Sequence, residues 1–184
     1  PSFLTVSGTP LQVGFSPDGS FDDPSTGVGL RWNGIEFLYP GDPLASFTVA
    51  FNGENYTNSA PAILSRSQIA VDITDLSIGS TYHVRVTGTV DASLTMVRDV
   101  IWQEGDSFLT INVALTNTTG STLDNVALLE SWDPDPRSST AADSFRTSND
   151  VLMDGKLVLA SNGMGAVGMG STDSRAVASA EGFY

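Results

Sequence analysis

Short runs of alternating apolar and polar residues, separated by turn-forming pairs, limit this chain to strands. Tyr82-His83-Val84-Arg85-Val86-Thr87 puts every second side chain on one face. Phe47-Thr48-Val49-Ala50-Phe51 and Leu109-Thr110-Ile111-Asn112-Val113-Ala114-Leu115 do the same. Successive side chains of a strand point to opposite faces, so each run packs one face and wets the other. Val126-Ala127-Leu128-Leu129 is apolar on both parities. That predicts a strand covered on both sides. Val158-Leu159-Ala160 and Ala176-Val177-Ala178 read as further strands. No window of about 11 residues carries a helical period.

Turn chemistry sets the spacing. Asn33-Gly34 separates Leu30-Arg31-Trp32 from Ile35-Glu36-Phe37-Leu38, a strong two-residue hairpin signal. Asn52-Gly53, Asp154-Gly155 and Asn162-Gly163 read similarly, while Pro17-Asp18-Gly19 and Tyr39-Pro40-Gly41-Asp42-Pro43 are breakers. No repeat of solenoid or propeller length is present. A length of 184 residues suits one domain with a real core. The sequence therefore predicts an all-β, antiparallel β-sandwich with a long acidic loop, as a single domain over 1–184.

Charge narrows the partners. The net charge of −13 argues against nucleic acid, which needs clustered Lys and Arg. No apolar run is long enough for a helical membrane span. Of the 21 acidic residues, 16 are Asp and 5 are Glu. Asp favours turns and is the usual ligand of loop-built calcium sites. A solvated acidic surface, such as a saline habitat favours, explains the same bias. Cysteine is absent, which removes disulfides, thiolate metal sites and thiol nucleophiles. A Cys-free, Asp-rich β chain fits a bacterial secreted or surface protein, where bound ions stiffen the fold instead.

The acidity concentrates in Glu130-Ser131-Trp132-Asp133-Pro134-Asp135-Pro136, followed by Asp143 and Asn149-Asp150. Asp133 and Asp135 stand two apart, and the proline after each favours extended backbone. Their carboxylates then point the same way and repel unless a cation lies between them. Calcium takes six to eight oxygens, and Asp143, Asn149 or Asp150 could supply more. Trp132 beside them is either a stacking platform for a ligand or a plug at the core edge. The ordered EF-hand loop pattern is missing. A second acidic turn, Asp18 with Asp22 and Asp23, has no regular ligand spacing.

Catalytic sets are incomplete, so no enzyme is predicted. His83 is the only histidine, lies on the polar parity of its strand, and is expected to face solvent. No nucleophile elbow accompanies it. Glu104 and Glu130 are the Glu residues nearest strand ends, but nothing in the sequence sets them across a cleft as a glycosidase needs. The Gly-rich run from Gly163 to Gly170 lacks the Lys-Ser/Thr of a phosphate loop and reads as a strand. Trp32 and Trp102 read as core. Asn55-Tyr56-Thr57 and Asn117-Thr118-Thr119 match a glycosylation sequon, which carries little weight in a bacterial protein.

Five segments carry a family resemblance. They are Arg31-Trp32-Asn33-Gly34-Ile35-Glu36-Phe37-Leu38-Tyr39-Pro40-Gly41, Arg98-Asp99-Val100-Ile101-Trp102, Glu130-Ser131-Trp132-Asp133-Pro134-Asp135, Ser148-Asn149-Asp150-Val151 and Asp173-Ser174-Arg175-Ala176-Val177. In this order they resemble β-rich modules of very large bacterial surface proteins secreted with RTX-type repeats. The resemblance implies a calcium-dependent, extracellular adhesin module beside neighbouring domains. It also implies a peptide or glycan ligand on a target cell surface, and it places Asp133, Asp135 and Asn149-Asp150 among the shared positions. The Gly-rich nonapeptide of the repeats themselves is missing, so the chain is not the β-roll. Modules of this kind continue for another strand or two. The chain, beginning at Pro1, is therefore expected to be an excised or C-terminally incomplete piece. The competing expectation is a spacer or fibre subunit that assembles by strand addition, with calcium only rigidifying it.

Overall fold

Residues 2–38, 45–58, 67–137 and 147–180 are described in the structure, a computed structural model. The breakers at 39–43 and Asp143 fall outside them. The described chain is all-β. Strands β1 (Leu4–Ser7), β2 (Leu11–Phe15), β3 (Leu30–Trp32) and β4 (Ile35–Glu36) form a meander in that order. Strands β5 (Ser46–Phe51), β6 (Glu54–Thr57) and β7 (Ser67–Gln68) begin a second sheet. Strands β8 (Ala70–Asp75), β9 (Thr81–Val90), β10 (Leu94–Gln103) and β11 (Thr110–Asn117) form the longest sheet. Strand β12 (Ala127–Ser131) then crosses back to pair with β5. Strands β13 (Ser148–Leu152), β14 (Leu157–Asn162) and β15 (Gly165–Gly170) form a fourth sheet. Among the described strands every pairing is antiparallel except that of β6 with β7.

The sandwich follows from parity. On β9, Val84, Val86 and Val90 point inward and are fully buried. The first sheet covers one end of this inner face, where Val6, Val13, Phe15 and Leu30 meet Val84, Val100 and Trp102. The second covers the other end, where Phe47, Val49 and Phe51 meet Val86, Val90, Leu94 and Met96. Asn33 at φ 49° and Gly34 at φ 83° make the predicted β3–β4 turn, with both central residues left-handed. Asn52 and Gly53 repeat it between β5 and β6. Gly29 is required for a different reason. A Cβ there would lie 1.9 Å from the Leu38 carbonyl oxygen. The Gly-rich run is strand β15, as predicted, with a Cβ at Gly168 only 3.2 Å from Leu157.

Three expectations change. The apolar stretch at 126–129 is not covered on both sides. It leads into β12, an outer strand, where Val126, Leu128 and Leu129 are all exposed. Ala176-Val177-Ala178 forms no strand, and Val177 is 83% exposed. Lys156 Nζ instead caps that segment by donating to the Ser174 and Ala176 carbonyls. His83 does not simply face solvent. Its Nε2 lies 2.7 Å from Asp99 Oδ1, and Arg85 shares the same carboxylate.

Candidate functional site

The acidic strip leaves β12 and runs beside β4. Asp135 N donates to the Phe37 carbonyl at 2.9 Å, and Glu36 and Arg137 exchange backbone bonds at 2.9 and 2.8 Å. This strip fixes the backbone around Asp133 and Asp135. Both side chains are half-buried, and neither lacks a partner. Trp132 packs edge-on against Phe21, with ring centroids 5.6 Å apart, on the rim of the larger core cluster. The indole therefore works first as a plug at the core edge.

The far end of the segment returns to the same neighbourhood. Asn162 Nδ2, at the end of β14, donates to the Pro136 carbonyl at 2.9 Å. The neighbouring β14 residue, Ser161, pairs with Ser148 at the start of β13. The two described ends of 132–150 thus meet on one end of β14. Asn149 and Asp150 are exposed, and Asn149 accepts from Thr147 Oγ1 at 3.0 Å. As consecutive residues of β13 they stand on opposite faces of that strand. Among the described residues, no three Asp, Glu or His side chains gather at ligand range.

Four of the other aspartates have local work. Asp18 accepts from Ser20 N, Asp23 from Ser25 N, Asp75 from Ser77 N and Asp173 from Arg175 N. Each is a side chain bonded to a backbone N–H two residues on, the geometry that makes Asp a turn residue. Asp23 is buried, and burial pushes its carboxyl up. Hydrogen bonds from Ser25, Thr5 and Thr26 outweigh that and hold it below the ordinary value. Turn chemistry thus accounts for four of the Asp residues.

Two glutamates gain assignments of their own. Glu104 accepts from Tyr82 Oη and from Thr9 N, which ties the β9–β10 sheet to the first loop. Glu130 points into the sandwich and takes Arg98 as a two-pronged partner, at 2.8 and 3.2 Å. Neither stands across a cleft. Arg98 is the residue that sequence reasoning missed. Its side chain is 2% exposed, with the guanidinium carbon 4.8 Å from the Phe21 ring centroid and 5.4 Å from that of Phe47. Its signal was parity, since Leu94, Met96, Arg98, Val100 and Trp102 share one side of β10.

Glu36 is a second buried charge. Its Oε1 accepts from Leu30 N at 2.7 Å, Gly29 N at 3.2 Å and Leu38 N at 3.3 Å, while Oε2 lies 3.3 Å from Arg31 Nε. Burial pushes its carboxyl up against those favourable contacts.

The class these features define is an all-β, sandwich-like fold with a pinned acidic strip. No protein-family model matches the chain, and no curated protein or solved structure matches it either. Among the described residues no helix is long and apolar enough to cross a membrane.

Proposed function

We propose that this chain is a module of a large secreted bacterial surface adhesin. In this reading calcium orders the acidic segment 132–150, and a peptide or glycan of a target cell surface is held beside it. The closure of that segment supports the reading. Asp135 is tied to β4 and Pro136 to β14, and β14 also carries the returning Ser148. In this reading the pinned strip turns the Asp133 and Asp135 carboxylates, two residues apart, toward one ion. Bound calcium reverses the local field of an acidic surface, so a ligand carboxylate or sugar hydroxyls can complete its shell.

A spacer role is the second reading, and the packing of Trp132 on Phe21 favours it, because that ring is already engaged. One experiment separates the two. EDTA-stripped protein and an Asp133→Ala/Asp135→Ala variant are titrated with calcium by calorimetry, then screened on glycan and peptide arrays. Saturable calcium binding that the variant loses, together with calcium-dependent capture, is the expected result. Calcium binding without capture leaves the spacer. Equal calcium affinity in both proteins ends the calcium reading.

A further inference from the structure

Three Asn-Gly pairs occur in the chain, at Asn33-Gly34, Asn52-Gly53 and Asn162-Gly163. Asn-Gly is the dipeptide in which a backbone amide most readily attacks the preceding side chain, because glycine puts no Cβ beside the attacking nitrogen. As dipeptides the three are equivalent. The fold makes them unequal.

Asn52 and Asn162 have tethered amides. Asn52 Oδ1 accepts from Asp124 N at 2.8 Å. Asn162 is held at both ends, with Nδ2 donating to the Pro136 carbonyl at 2.9 Å and Oδ1 accepting from Met164 N at 2.8 Å. Asn33 is exposed, and its side chain makes no hydrogen bond among the described residues. The backbone does not separate Asn33 from Asn52. Both are left-handed, at φ 49° and 53°. Both anchor their own N–H, on the Pro10 carbonyl at 2.9 Å and the Asp124 carbonyl at 2.8 Å. No atom lies within 4 Å of a Cβ built on either following glycine. The ladders do separate them. Strands β3 and β4 share two residue pairs, against four for β5 and β6. The free side chain thus also sits on the shorter hairpin.

We infer that Asn33 is a site of spontaneous covalent modification, the first of the three to convert in the folded chain. Gly34 N attacks Asn33 Cγ. The N–Cγ bond forms, the Cγ–Nδ2 bond breaks, and Nδ2 leaves as ammonia with the Gly34 amide proton. Water then opens the succinimide at either carbonyl, giving aspartate or isoaspartate. Each product adds a carboxylate to a chain already at −13. Isoaspartate also lengthens the backbone by one methylene inside a two-residue turn, which the Trp32–Ile35 pairing cannot absorb. Beyond that pairing lies Glu36, whose backbone is bonded to Arg137 at the end of the acidic strip. Ageing at Asn33 therefore loosens the strip from β4. This goes beyond the calcium reading and does not depend on it.

The test ages the full chain in warm, mildly alkaline buffer with EDTA, so that the outcome is independent of calcium. Mass spectrometry with peptide fragmentation reads amide-to-acid conversion at each of the three sites. Asn33 is expected to convert about fivefold or more faster than Asn52 and Asn162, which must first break about one net hydrogen bond. In urea the three rates are expected to draw together. Gly34→Ala is expected to slow conversion at Asn33 alone, and the comparison on the unaltered protein stands without that variant should it misfold. Amide hydrogen exchange on the aged protein is expected to quicken at Glu36 and Arg137 and to stay unchanged on β9 and β10. Conversion of Asn52 or Asn162 at or above the Asn33 rate overturns the inference. A lead for Asn33 that persists in urea overturns it as well, because the fold is then not its cause. An unchanged Asn33 rate in folded Gly34→Ala rules out the succinimide route, and unchanged exchange at Glu36 and Arg137 overturns the coupling to the strip.

Discussion

Arg98 and Glu130 join the two layers of the sandwich through its interior. The Arg98 Nε donates to Glu130 Oε1 at 2.8 Å and Nη2 to Oε2 at 3.2 Å, between β10 and β12. The guanidinium is buried beside Phe21 and Phe47, and its Nη1 has no hydrogen-bond partner among the described residues. Burying two charges costs much of what their attraction returns, so the pair does more for geometry than for net stability.

Removing one partner is therefore far worse than removing both. Glu130→Ala leaves a buried cation uncompensated and is expected to cost about 3–5 kcal/mol. The double replacement Arg98→Met/Glu130→Leu is expected to fall within about 1 kcal/mol of the starting protein. Urea denaturation of the three proteins checks this. Equal losses for the single and double variants would show that the pair itself stabilises the fold.

Two carboxylates give opposite pH dependences. Glu36 is held above 4.5 by burial, so the folded state takes up its proton before the unfolded chain does. Stability from this group therefore rises as pH falls through its elevated range, and Glu36→Gln loses that rise. Asp99 is held below 3.8, chiefly by the Arg85 hydrogen bonds, with His83 adding to them and burial opposing. Its contribution is present above 3.8 and is lost as pH falls through the lower folded value. Arg85 is 43% exposed, so Asp99→Asn is expected to cost only about 1 kcal/mol at neutral pH. Thermal melts of both variants from pH 7 to pH 3 read the two signs.

Two glycines on the same sheet differ in kind. Gly34 has φ 83° with no atom within 4 Å of a built Cβ. Gly34→Ala is expected to cost about 1 kcal/mol, from backbone conformation alone. Gly29→Ala places a methyl 1.9 Å from a backbone oxygen and cannot be relieved by a rotamer. Its cost is expected to exceed that of Gly34→Ala several-fold, and it separates β3 from the Leu38 end of the hairpin. Chemical denaturation of the two variants gives the comparison.

Much of the fold was legible because it is local. Alternation marked β5, β9 and β11, and Asn-Gly marked the β3–β4 and β5–β6 turns, since strand parity and left-handed turn residues are properties of adjacent positions. The errors came where parity says nothing of what lies opposite. Residues 126–129 are apolar on both sides, yet they lie at an edge with little over them. His83 sits on the outer parity, yet a neighbouring strand supplies Asp99. The acidic strip was visible as a cluster, but its capture by β4 and β14 was not.

The amino-acid sequence by itself determined that this chain is built of short strands, which side of each is apolar, and where the tight turns fall. These depend on side-chain chemistry at one- and two-residue spacing. Tertiary structure decided that β12 returns to β5 across nearly eighty residues, with Ala127 opposite Ala50. It also decided that Arg98 and Glu130 meet inside the core. Those outcomes depend on which sheets stack and which edges remain unpaired, a long-range choice that no local pattern encodes.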